Sequence, residues 1–171
     1  MLIDQDGHDF ALNDFKDTFL IISFIYTRCP VATACPMTVH HLKAIDDLWE
    51  RAQENRQAEG KRLRFLLLTL DPDYDTPKRL RAYSNQHLPG RERFILATGE
   101  RTIITKILPS MFNILALPGE SGTIQHNVKT ILLEPGLKQI HIWKDNEFSP
   151  REVLDAILLR PTSWGDQMEH N

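Results

Sequence analysis

The stretch "YTRCPVATACPMTVHH", residues 26 to 41, carries both cysteines of the chain, Cys29 and Cys35, with five residues between them and a proline after each, Pro30 and Pro36. A thiolate is both a nucleophile and a soft-metal ligand. Two thiols in one turn therefore offer two chemistries, a reversible disulfide or a grip on a soft metal ion. A free cysteine is ordinarily a small buried hydrophobe, but a chain that places its only two in the same turn points to joint use. Cys35 stands directly before Pro36 at what reads as a helix entrance, where unpaired backbone N–H groups and the helix dipole favour a thiolate.

The remaining acids and histidines are weaker candidates. Asp71, Asp73 and Asp75 alternate as calcium ligands do, yet an EF-hand loop needs Gly at its sixth position and Glu at its twelfth. Here Pro77 opens a helix instead, so the loop reads as its cap. His40 and His41 are neighbours on a helix and point to different faces, unlike an i,i+4 pair that grips a metal. His141 falls inside a strand, His8 at a ribbon and His87 near a helix end.

The elements that must hold the thiols are strands alternating with helices. "DQDGHDFALNDF" places Asp6 and Gly7 between two extended pieces, a hairpin signal. "TFLIISFIY" lacks polar alternation, as a strand covered on both faces does. From Pro36, the residues Met37, Leu42, Ile45, Leu48, Trp49 and Ala52 trace an amphipathic helix that ends near Gly60. "LRFLLLTL" and "RFILAT" read as further strands, with a helix between them capped by Thr76. "GERTIITKILPSMFNI" reads as a helix that Pro109 breaks or kinks near its end. "HNVKTILLE" and "KQIHIW" form a hairpin about Pro135 and Gly136, and "SPREVLDAILL" closes with a helix capped by Ser149. The order is ribbon, then β-α-β-α-β-α-β-β-α: a parallel β-α-β start with antiparallel strands added to the same sheet. This predicts an α/β, thioredoxin-like fold with a mixed central sheet flanked by helices and an N-terminal β-ribbon. The cysteines then fall at the turn from the first core strand into the first helix.

Composition narrows the function. With 171 residues, 42% of them hydrophobic, the chain supports one domain, expected over residues 1–160 with a flexible tail at 161–171. A net charge of −3 with scattered Lys and Arg leaves no basic stripe for nucleic acid. The apolar run at 19 to 26 falls far short of the ~20 residues of a membrane-spanning helix. The polar opening "LIDQDGHDF" is not a signal peptide, so the chain is expected to be either cytosolic or a soluble piece parted from its targeting segment.

Taken together, "LIDQDGHDFALNDFKDTFLIISFIYTRCP", the following "CP", "TLDPDYDTPKRLRAY" and "QHNVKTILLEPG" resemble the Sco (SenC) family of copper chaperones for cytochrome oxidase assembly, over about residues 3 to 158. The resemblance implies copper, as Cu(I) or Cu(II), held by Cys29, Cys35 and His126, the histidine directly before "NVKTILLEPG". It also implies a monomeric domain in the periplasm, or facing it from a membrane anchor absent from these residues. Its partner would be the copper-site subunit of cytochrome oxidase or another copper or thiol protein. The usual family loop, Cys-Pro-x-x-Cys-Pro, has three residues between its cysteines where this chain has five, which loosens the bite of the two sulfurs without removing a ligand. The "DPDYDTP" stretch resembles one that lies next to the metal loop in Sco proteins, where an acid tunes the site from behind the ligands.

The residues bear out that chemistry and leave an alternative. Two thiolates and an imidazole suit Cu(I) and also hold Cu(II), while zinc prefers a fourth ligand. The alternative is a thiol-disulfide oxidoreductase, with Cys29 and Cys35 as its catalytic pair. His126 discriminates, because exchange does not need it. Thioredoxin-like oxidoreductases carry a proline immediately before the strand facing the dithiol, where this chain has Gln125 and His126. A peroxidase is disfavoured: Thr27 gives Thr-x-Cys, whereas peroxiredoxin-like sites have Thr-x-x-Cys.

Overall fold

The computed structural model describes residues 1–119 and 123–161. A short ribbon comes first, β1 (Leu2–Asp4) and β2 (Asp9–Phe10), turning through Gly7 at φ +86°. A 3-10 turn (Leu12–Phe15) leads into β3 (Phe19–Ile25), and α1 (Cys35–Glu54) follows. Next come β4 (Leu63–Thr69), α2 (Pro77–His87) and β5 (Phe94–Gly99). A π-helical turn (Ile103–Ile107) runs into α3 (Leu108–Met111). Two short strands, β6 (Ala116–Pro118) and β7 (Ile124–His126), precede the hairpin of β8 (Lys129–Glu134) and β9 (Lys138–Lys144), and α4 (Pro150–Leu158) closes the chain.

Seven strands form one sheet in the order β2-β1-β5-β4-β3-β8-β9. The β3–β4 and β4–β5 pairs are parallel; the ribbon and the late hairpin extend the sheet antiparallel at its two sides. This is the mixed, thioredoxin-like α/β architecture expected from the order of elements. Side chains of a strand alternate between faces, and every residue of β3 is buried. Phe19, Ile21 and Ile25 join one core, with Val39, Leu42, Ile45 and Trp49 of α1 and Val153, Leu154 and Ile157 of α4. Leu20, Ile22 and Phe24 join the other, under Ile104, Phe112 and Ile114. That two-sided cover explains the absence of polar alternation in β3.

Two local readings need correction. The expected strand "HNVKTILLE" is interrupted: His126 ends β7, which pairs with β6 in a separate two-stranded sheet, and the core strand starts only at Lys129. The helix expected across Pro109 is irregular before the proline rather than after it, a π-turn at Ile103–Ile107 running into a short α-helix that contains Pro109. Ser149 caps α4 as expected, accepting from the Glu152 N–H. Most of the tail expected at 161–171 lies outside the described residues. Among those residues no helix is long and apolar enough to cross a membrane.

Candidate metal centre

Both cysteines are free thiols on the loop between β3 and α1. After β3 the chain turns once, the Cys29 N–H donating to the Tyr26 carbonyl at 3.1 Å, and Cys35 becomes the first residue of α1. Residues 30–33 form the exposed tip. The two residues beyond the usual family spacing therefore add to a solvent-facing bend, while the cysteines sit at its anchored ends.

The anchors come from distant parts of the chain. Buried Asp75 accepts from the Thr27 N–H at 3.0 Å, from the Thr27 hydroxyl, and from the Thr69 hydroxyl at 2.5 Å. Burial still raises its carboxyl above the ordinary value. Asp71 accepts from Arg28 Nε at 2.7 Å, and the Arg28 guanidinium lies 4.5 Å from the centre of the Tyr74 ring. The "DPDYDTP" stretch thus fixes the two residues before Cys29. At the other end, Asn146 accepts from the Thr38 hydroxyl at 3.0 Å and donates to the Thr33 carbonyl at 3.2 Å. Asn146 has φ +58°, a left-handed conformation that asparagine tolerates better than most residues.

The two thiols meet different surroundings. Cys35 is 1% exposed and its sulfur lies 3.8 Å from His126 Nε2. Cys29 is half-buried, and its thiol is lowered to about 5, chiefly because the Cys35 thiol beside it favours a negative charge on its sulfur; burial opposes this. Cys35 is raised well above the ordinary range, chiefly by its hydrogen bond to the Cys29 sulfur and then by burial. The sequence placed the thiolate preference at Cys35 because it opens α1. The structure moves the first charge to Cys29, since the Cys35 S–H donates to the Cys29 sulfur and burial also holds its proton, and together these outweigh the helix terminus.

His126 reaches the thiols from the β6–β7 hairpin, with Ala116 opposite it in register. Burial lowers its imidazole, which favours the neutral ring. Nδ1 lies 3.1 Å from the Asn127 carbonyl, so Nδ1–H donates there and the lone pair of Nε2 faces Cys35. Asn127 in turn is fixed to the preceding chain: its Oδ1 accepts from the Leu115 N–H at 2.8 Å and its Nδ2 donates to the Asn113 carbonyl at 3.2 Å. Buried Lys129 donates to that same carbonyl at 2.6 Å. The Tyr26 ring stands edge-on to His126 with centroids 6.1 Å apart, and its hydroxyl accepts from the Ile124 N–H at 3.2 Å.

The sequence pointed to both thiols by their shared turn and to the imidazole by family resemblance, and the structure brings all three to one end of the sheet. Sequence reasoning missed Tyr26, Asn127 and Asn146, whose roles arise from contacts between distant segments and leave no spacing signal. The three acids of the "DPDYDTP" loop serve different partners: Asp71 faces Arg28, Asp73 pairs with Arg101, and Asp75 holds Thr27. They do not form a calcium cage. Among the described residues, the donor group drawn within 4.8 Å throughout is Asp4, Asp6 and His8 on the ribbon, not the thiols with His126. On the ribbon, however, Asp4 Oδ1 accepts from the Asp6 and His8 N–H groups and Asp6 pairs with Arg81, so those carboxylates already serve the turn. His141 packs tilted against Trp143 with centroids 4.2 Å apart, and His41 meets Phe148 edge-on at 5.1 Å.

Over residues 1–159 the sequence matches the SCO1/SenC family. The SCO1 protein homolog of Bacillus subtilis strain 168 is 27% identical over 153 residues, covering 88% of this chain and 74% of its own length. A SCO1/SenC family lipoprotein from Bacillus anthracis has a similar structure, with a TM-score of 0.78 at 22% identity across 91% of this chain and 89% of its own. Arabidopsis thaliana ScoI with copper bound gives 0.76 at 20% identity, across 92% of each chain.

Proposed function

This chain belongs to the SCO1/SenC family, and on that premise we propose that it is a copper metallochaperone holding one copper ion between Cys29, Cys35 and His126. The observation that carries the reading is the convergence of three soft donors at one end of the sheet. The lone pair of a neutral imidazole is turned to Cys35 at 3.8 Å, and the readily ionised Cys29 stands beside it. Two sulfurs and one such nitrogen form a donor set that selects Cu(I) and also accommodates Cu(II). Copper replaces the proton of Cys35, which the hydrogen bond to the Cys29 sulfur and burial otherwise retain. The exposed tip at residues 30–33 gives Cys29 the freedom to close on the ion while Cys35 stays fixed in α1.

The Sco family is one of cytochrome c oxidase assembly proteins. The acceptor proposed is therefore the copper-site subunit of cytochrome oxidase, or another copper or thiol protein. The domain over residues 1–160 works as a monomer in the periplasm or facing it from the membrane. The lowered Cys29 thiol also favours a second reading, thiol-disulfide exchange, in which Cys29 attacks a partner disulfide and Cys35 resolves the mixed disulfide. His126 separates the two. Titrating the reduced protein with Cu(I) against a competing chelator, with metal analysis, is expected to show one equivalent bound. Cys29→Ser, Cys35→Ser and His126→Ala should each weaken it. Full affinity in the His126 variant would overturn the ligand assignment.

A further inference from the structure

A cleft of about 250 Å³ is lined by both cysteines and walled by Val39, His40 and Lys43 of α1 and by Tyr83 and His87 of α2. His126 is not part of its wall. The cleft and the imidazole therefore approach the thiols separately, and an ion held by all three donors remains reachable from the cleft. Pro36, Val39, His40 and Lys43 fall on one face of α1, three or four residues apart. The opposite wall comes from α2, where the His87 ring packs on Tyr83 with centroids 4.3 Å apart.

Apart from the Cys29 sulfur that is to take the metal, the wall offers groups that attract anions. Among the described residues no carboxylate lines it, whereas Lys43 and the imidazoles of His40 and His87 do. Of the acids of α1, Asp46 and Asp47 bind Arg91, Asp46 and Glu50 bind Arg93, and Glu54 stands at the far C-terminal end of the helix. Lys43 has no ion-pair partner among the described residues. A bare Cu(I) cation gains nothing from passing a lysine. A Cu(I) ion already wrapped by thiolates of a carboxylate-bearing small thiol is an anion, and the same wall attracts it.

We infer that this cleft receives copper as an anionic complex of a low-molecular-weight thiol bearing carboxylates, with Lys43, His40 and His87 holding the carboxylates while Cys29 takes the metal. The cleft is smaller than the ~300–1,000 Å³ of pockets that enclose drug-sized molecules, so it takes a carboxylate arm of such a complex rather than enclosing the whole. The exchange is balanced without oxidation. The Cys29 thiolate forms a Cu–S bond as one donor Cu–S bond breaks, and that donor leaves as a thiolate that takes its proton from water. Cys35 then forms the second Cu–S bond as the other donor Cu–S bond breaks, its proton passing to the departing sulfur, and His126 completes the set. This inference rests on the copper reading above and specifies how the cargo arrives.

Loading rates of the reduced protein from two Cu(I) donors test it, the anionic glutathione complex and the cationic acetonitrile complex. Lys43→Glu is expected to slow loading from the glutathione complex roughly tenfold or more, as reversal of a steering charge does. It should not slow loading from the acetonitrile complex, and Lys43→Arg should restore the glutathione rate. In the metal-free protein, S-methylglutathione, which has the carboxylates but no thiol, should slow alkylation of Cys29 in the wild type and not in Lys43→Glu. Equal rates from the glutathione complex in wild type and Lys43→Glu, or an equal slowing with both donors, would overturn the cleft assignment and leave the copper ligands standing. Failure of both donors to load the wild type would overturn the copper reading, and this inference with it.

Discussion

Cys29 and Cys35 share one turn, and their surroundings divide the labour between them. Cys29 is half-exposed with its thiol lowered to about 5, while Cys35 is buried and raised. Because the lowered value lies below the ordinary cysteine value of about 8.5, the Cys29 thiolate persists at neutral pH and is lost only as pH falls through about 5. Alkylation by iodoacetamide at pH 7, followed by peptide mass mapping, should therefore label Cys29 rapidly and Cys35 slowly. A rate that first rises near the ordinary thiol value would contradict this. His126 depends on Asn127, whose carbonyl takes the Nδ1 proton and whose side chain ties it to Leu115 and Asn113. Asn127→Ala should weaken Cu(I) binding by roughly 10–100-fold, the usual cost of losing a group behind a metal ligand, and should shift the ultraviolet thiolate–copper absorption. The two thiols proposed as ligands were readable because few residue types bind soft metals, whereas His126, one of seven histidines, was singled out by the family resemblance. Asn127 was not readable, because asparagine before a strand is an ordinary turn residue.

The loop as an element is held by clamps whose two halves lie far apart in sequence. Asp75 reaches back to Thr27 and Thr69, so Asp75→Ala leaves three donors to find new partners, two of them in the metal loop. Such a loss in a buried setting costs about 1–3 kcal/mol. Urea unfolding should show it together with weaker copper binding. Asp46→Ala provides the contrast. That carboxylate is 1% exposed and binds Arg91 at 2.7 Å and Arg93 at 2.5 Å, tying α1 to the start of β5. Its removal should destabilise by about 2 kcal/mol, less than an all-buried pair because both arginines can turn to solvent, and should change the copper stoichiometry not at all. The longer helices and the core strands were legible from periodicity, since β3, α1, β4 and α4 each carry a sustained pattern. The β6–β7 hairpin was not, because two strands of three residues each are too short to show alternation.

Across the whole molecule the two cores on either face of the sheet are built mainly from residues outside the metal site, with Cys35 buried in one of them and Cys29 packed against it. The apo protein should therefore unfold in one cooperative transition, and chelators should lower its midpoint only by the linkage of copper to the native state. The overall architecture was legible because the order of elements admits few topologies. The approach of the β7 histidine to the β3–α1 loop was supplied by family resemblance alone, for no local pattern reports a contact across 91 residues of chain. On that contact the account turns. X-ray absorption at the copper edge of the reduced, Cu(I)-loaded protein tests it most directly. The predicted first shell contains two sulfurs and one nitrogen with the outer scattering of an imidazole ring, and the nitrogen shell disappears in His126→Ala. A shell of sulfur alone in the wild type, or a spectrum unchanged by that substitution, would contradict it.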